Sequence, residues 1–232
     1  MSLFAAWTGV IAGILVWWLA VRRLSTKPWE TQGSHAGGGG GNGEMFDADA
    51  ARVGLWVFLA VATALFGLFI AAYFIRMTPH VSQGALLPDW RPVDEPRVLW
   101  FNTGLLVLGS IAMQAARVAI GHGNVQRARV GLWLGGVFAF AFLGGQWLAW
   151  QQLRAAGYYA AGNPANAFFY VLTAVHALHV LGGLVVWARA TTRLGRRGAA
   201  IGRTRVTVEL CTVYWHFLLA VWLVLFCLLL AT

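Results

Sequence analysis

Six long runs almost free of charge dominate this chain: residues 2–21, 53–75, 98–116, 130–153, 167–188 and 206–231. Each reaches the roughly 20 residues that a helix needs to cross about 30 Å of hydrocarbon. Only the last contains a charged residue, Glu209 near its start. Lipid cannot hydrogen-bond open backbone, so each run is expected to be a helix. The fold class that follows is an all-α polytopic membrane protein with six transmembrane helices. Composition agrees, with 59% hydrophobic and 11% charged residues against about 25% charged in a soluble domain.

The basic residues set an orientation. The first, third and fifth connections hold thirteen of the 17 Lys and Arg residues, among them Arg22, Arg23, Arg117, Arg129, Arg189 and Arg205. The second and fourth hold only Arg76, Arg91, Arg97 and Arg154. Cationic loops stay in the cytoplasm, so both termini are expected outside, in the periplasm. Trp17, Trp18, Trp133 and Trp187 fall near the inner ends of spans and Trp7, Trp100, Trp147 and Trp150 near the outer ends, as two aromatic belts require. The first span is not preceded by positive charge and is followed by Arg22 and Arg23, which favours a retained helix over a signal peptide. The net charge of +9 does not point to nucleic acid, because the basic residues sit in short loops between apolar runs rather than along one face.

Residues 34–44 are nearly devoid of apolar side chains and include five consecutive glycines at 37–41. They read as part of a flexible cytoplasmic linker. The expected organisation is a single helix over residues 1–22, a Gly-rich linker over 23–51 and a five-helix core over 52–232. In the fourth span Gly131, Gly135 and Ala139 recur every four residues, a spacing that lets helix backbones approach closely. Cys211 and Cys227 are the only cysteines, and on one helix they would lie about 24 Å apart, too far for a disulfide.

Polar groups inside hydrocarbon are costly and mark places to look for function. The fifth span holds Thr173, His176 and His179, and the sixth holds Glu209 and His216. His176 and His179 share a helix face, as do Glu209 and His216. Two readings stand side by side. One is a ligand set, haem iron between His216 and His176 or His179, or a metal on His, His and Glu. The other is hydrogen bonding that fixes one helix against another. A proton path would need a chain of such groups across the membrane, and one carboxylate near one face does not make it.

The stretch Phe168-Phe169-Tyr170-Val171-Leu172-Thr173-Ala174-Val175-His176-Ala177-Leu178-His179-Val180-Leu181-Gly182-Gly183 resembles the F-F-x-x-T-G-x-H-x-x-H-V-x-x-G signature of cytochrome c oxidase subunit III. Glu209 followed by Tyr214-Trp215-His216-Phe217 and Trp222 resembles that family's E-x(5)-W-H-F-V-D-x-x-W stretch. Weaker matches are Arg52-Val53-Gly54 with Phe58, then Asn102-Thr103, then Gln146, in the family's order. The resemblance covers about residues 45–232. It departs from the family at four points: Ala174 replaces glycine, Leu219 replaces aspartate, Val61-Ala62 replaces serine-glutamate, and Ala149 stands where a further acid is usual. The role of those acids in proton supply is therefore not carried over.

The resemblance implies a non-catalytic subunit of a haem-copper oxidase in the bacterial inner membrane. Haems and copper would lie in partner subunits, with no cofactor, metal or catalytic residue in this chain. Subunit I is the implied partner, and phospholipids are implied ligands. Family members often have seven helices, so one fewer here implies loss of the first. Trp17-Trp18 with Arg22-Arg23 resembles the end of the family's second helix, which makes Trp18, Arg23 and Arg189 candidate lipid contacts. Thr173, His176, His179, Glu209, Trp215 and His216 are the motif residues given a structural role. The competing readings are a self-sufficient b-type cytochrome and the third subunit of a nitric-oxide-reductase-like complex.

Overall fold

The structure, a computed structural model, describes residues 42–77, 81–82, 85–86, 97–195 and 201–230. Five helices carry it: α1 Asn42–Met77, α2 Val98–Gly121, α3 Val125–Ala155, α4 Pro164–Gly195 and α5 Ile201–Leu230. All five are long and apolar enough to cross a membrane. Between α1 and α2 a two-residue strand β1, Val81–Ser82, pairs antiparallel with β2, Ala85–Leu86. The first span (residues 2–21) and the glycine run (37–41) lie outside the described residues, as do Trp18 and Arg23.

The chain falls into two units, residues 1–54 and 55–232. The described part of the first is the start of α1, where Arg52 Nη1 pairs with Asp49 Oδ1 at 3.1 Å, one turn away. Helix α1 starts at Asn42, so residues 42–51, read from sequence as linker, are helical. Ala50, Ala51 and Arg52 are strong helix formers, and the Asp49–Arg52 pair supports the turn.

The other helices also outlast their apolar runs. Arg117 lies inside α2, Arg127 and Arg129 begin α3, and Arg189 and Arg193 are in α4. A helix has no reason to stop at the edge of hydrocarbon, and long arginine side chains can carry their charge to the interface. The third connection thereby shrinks to three residues, His122–Asn124. Gly123 turns it with a φ of 73°, which glycine adopts freely, and Asn124 Oδ1 caps α3 by accepting from Arg127 N at 3.0 Å.

Helices α2 to α5 form a ring in which α2 packs on α3, α3 on α4, α4 on α5 and α5 back on α2. The α2–α3 seam is the tightest. A Cβ on Gly131 would stand 2.8 Å from Ala112 O and 2.9 Å from Ala116 N, so only glycine permits that approach. Gly135 gives the same room to Met113. Beyond Gly54, α1 packs by large rings rather than by close backbone approach. Phe66 and Tyr73 cluster with Leu172 of α4 and with Leu225 and Leu228 of α5. Ala62, where the resembled family carries its carboxylate, is itself buried.

Candidate functional site

The motif residues of α4 and α5 lie on the faces that join the ring. Four cross-links run between α5 and α2 in antiparallel order. Arg117 Nη2 donates to Glu209 Oε1 at 2.7 Å. One turn further along α5, Thr212 Oγ1 donates to Met113 O at 3.2 Å. His216 follows, its Nε2 donating to Gln114 Oε1 at 3.1 Å and its Nδ1 accepting from Ser110 Oγ. Trp222 Nε1 closes the series by donating to Thr103 Oγ1 at 2.9 Å. Each such bond is worth about 0.6 kcal/mol on average in a membrane protein. Together they fix the register of α5 against α2, because a shift of either helix would break all four.

The α4 residues divide. Thr173 donates to Phe169 O at 2.7 Å and accepts from Trp150 Nε1 of α3 at 3.1 Å. His179 Nδ1 donates to Val175 O of its own helix at 2.8 Å, while its ring lies 5.2 Å from that of Phe66. Tyr214 of α5 donates to His179 O at 2.9 Å and lies over Gly183, where any side chain would collide with it. Trp215 is buried and also touches the space at Gly183.

His176 is fully buried among the rings of Phe66, Phe142 and Trp222, at centroid distances of 6.4, 5.7 and 5.2 Å. Neither of its nitrogens has a hydrogen-bond partner among the described residues.

The haem and metal readings need His216 to face His176 or His179. Instead both nitrogens of His216 are engaged by α2, His179 is bonded to its own backbone, and Glu209 is held by Arg117. Among the described residues no group of three His, Cys, Asp or Glu could hold a metal. Among the described residues these groups thus tie helices together.

The sequence has known relatives. The family model for cytochrome c oxidase subunit III matches residues 6–231. The chain belongs to the cytochrome c oxidase subunit III family. It is 31% identical over 180 residues to cytochrome c oxidase subunit 3 of Thermostichus vulcanus, covering 76% of this chain and 85% of that one. It is 32% identical over 188 residues to haem-copper oxidase subunit I+III of Aeropyrum pernix, 78% of this chain and 22% of that longer fused one. Cytochrome bo(3) ubiquinol oxidase subunit 3 of Pseudomonas aeruginosa is 27% identical over 177 residues, 75% of this chain and 80% of that one. As a member of this family with five membrane-compatible helices, the chain is a multi-pass membrane protein.

Ser110, Gln114 and Arg117 did not stand out in the sequence as site residues, although they partner His216 and Glu209. The signal was present in their spacing, since Ser110 and Gln114 are four apart and Arg117 is three further on the same face. Arg189 is exposed near the end of α4. It edges an open groove of about 510 Å³ lined by Phe140, Leu181, Val185 and Trp187, with Thr192 one turn beyond. Trp187 is wedged over Gly136 and donates to Leu132 O at 2.6 Å, which fixes the groove floor.

Proposed function

We propose that this chain is the non-catalytic third subunit of a haem-copper terminal oxidase in the bacterial inner membrane. It packs against the catalytic subunit, leaves the redox centres to its partners, and holds lipid. The observation that carries the reading is the subunit III match over residues 6–231. The Aeropyrum pernix relative, whose name joins subunits I and III in one chain, supports the partner. The relatives include cytochrome c and ubiquinol oxidase subunits, so the assignment is to haem-copper oxidases as a class. The full reading has six membrane helices with both termini in the periplasm. The shared placement of Arg117, Arg127, Arg129, Arg189 and Arg193 at the ends joined by the third and fifth connections supports that orientation.

An affinity-tagged chain expressed with its neighbouring genes is expected to copurify with a haem- and copper-containing subunit and O₂-reducing activity. The chain expressed alone is expected to give no haem band after reduction with dithionite. A stoichiometric haem band in the isolated chain, abolished by His216→Ala, would sink the assignment and restore the b-type cytochrome.

Lipid retention has its own support. The apolar groove beside Arg189 fits an acyl chain, and the guanidinium, which makes no ion pair among the described residues, fits a phosphate. Arg189→Ala is expected to lower the anionic phospholipid that stays with the purified complex, read by lipid mass spectrometry, while haem content is unchanged. Equal lipid retention in variant and wild type would remove Arg189 from that role. Trp18 and Arg23 complete the proposed lipid contacts by resemblance alone.

A further inference from the structure

Three buried side chains in the ring have every polar atom without a partner among the described residues: both amide atoms of Asn102, both of Gln146 and both ring nitrogens of His176. All three residues are no more than 1% exposed. They come from three different helices, and the contacts around them set them at one level of the ring.

On α3, Phe142, Gln146 and Trp150 are successive residues of one face. The Phe142 ring lies against His176 of α4 at 5.7 Å, and Trp150 Nε1 bonds Thr173, one turn before His176. Gln146 therefore stands level with the turn between Thr173 and His176. Asn102 of α2 reaches the same level from the other side, where its side chain fills the space left by Gly145, the residue before Gln146. Its neighbour Thr103 holds Trp222, whose ring covers His176 at 5.2 Å.

The chemistry of these groups favours a small ligand that both donates and accepts. Each carboxamide has two donors and two lone pairs. An imidazole in either tautomer has its donor and acceptor on opposite sides of the ring. No direct hydrogen bond joins these three groups, whereas water, with two donors and two acceptors, bridges groups of this kind inside proteins. Two carboxamides and one imidazole are a weak metal set.

We infer that Asn102, Gln146 and His176 form an internal hydration site, holding water that bridges α2, α3 and α4 within the membrane. The site goes beyond the oxidase assignment and does not depend on which partner the chain has. It gives the first histidine of the family motif a task on this chain, which is to anchor bridging water rather than to bind iron.

The test is a map of the purified complex by electron cryomicroscopy at a resolution that resolves ordered water. Density within hydrogen-bond distance of at least two of the three side chains is expected. Side chains bonded directly to one another or to backbone, with no density between them, would overturn the inference. A second measurement follows thermal detachment of the chain from the complex. Gln146→Leu and His176→Leu are each expected to lower the midpoint by a few degrees, and the double variant by less than their sum, because each single change strands the other's shared water. Additive shifts would also overturn it.

Discussion

Gly131→Leu is expected to leave a complex largely without this subunit. The leucine Cβ alone would stand 2.8 Å from Ala112 O and 2.9 Å from the Cβ and backbone nitrogen of Ala116. Backbone cannot swing away as a flexible side chain can, so α2 and α3 must separate along their whole seam. Overpacking usually costs about 1–3 kcal/mol, and a clash with backbone belongs at or above the top of that range. The measurement is the amount of this chain retained by the affinity-purified catalytic subunit. Gly144→Leu is the control, because it lies on the same helix with nothing within 4 Å of an added Cβ. It faces outward, where lipid is as apolar as leucine, and should be retained like wild type. Equal retention of the two variants would mean that the α2–α3 seam does not govern assembly.

Trp222→Ala is expected to have the second largest effect. The side chain is fully buried. It stacks on Phe226, meets Phe142 edge to face at 5.0 Å, covers His176, and bonds Thr103 across to α2. Truncating such a residue to alanine costs about 3–5 kcal/mol through lost contact and the cavity left behind. Trp222→Phe keeps most of the ring contact but gives up the Nε1 donor, a loss of about 1 kcal/mol. The midpoint of thermal detachment should therefore fall in the order wild type, Trp222→Phe, Trp222→Ala. If phenylalanine is as damaging as alanine, the hydrogen bond to Thr103 outweighs the packing.

Much of the bundle was legible in the residues. Hydrocarbon imposes a minimum length and excludes charge, so five of the six apolar runs correspond directly to α1–α5, and the first, residues 2–21, lies outside the described residues. The Gly131, Gly135 and Ala139 spacing announced a close helix approach, which α2 supplies through Ala112, Met113 and Ala116. Helix ends were less legible. Arg117, Asp49 and Arg52 looked like loop residues because they are charged, yet a helix tolerates them wherever its side chains reach the interface or pair within a turn.

The partners of the polar residues belonged to the tertiary structure alone. In water, the buried face of a helix is written as a 3.6-residue alternation of apolar and polar residues. In lipid both faces are apolar, so that alternation fades, and Thr173, His176, His179, Glu209 and His216 could be read equally as ligands or as struts. Packing separated them, sending Glu209 to Arg117, His216 to Ser110 and Gln114, and His176 into a cage formed by Phe66, Phe142 and Trp222. By itself the sequence determined that α1–α5 are suited to cross the membrane and which family motif they carry, because hydropathy and local spacing are properties of one strand of chain. Which face of each helix meets which neighbour was decided only in three dimensions, because hydrogen bonds across the ring join residues about a hundred positions apart.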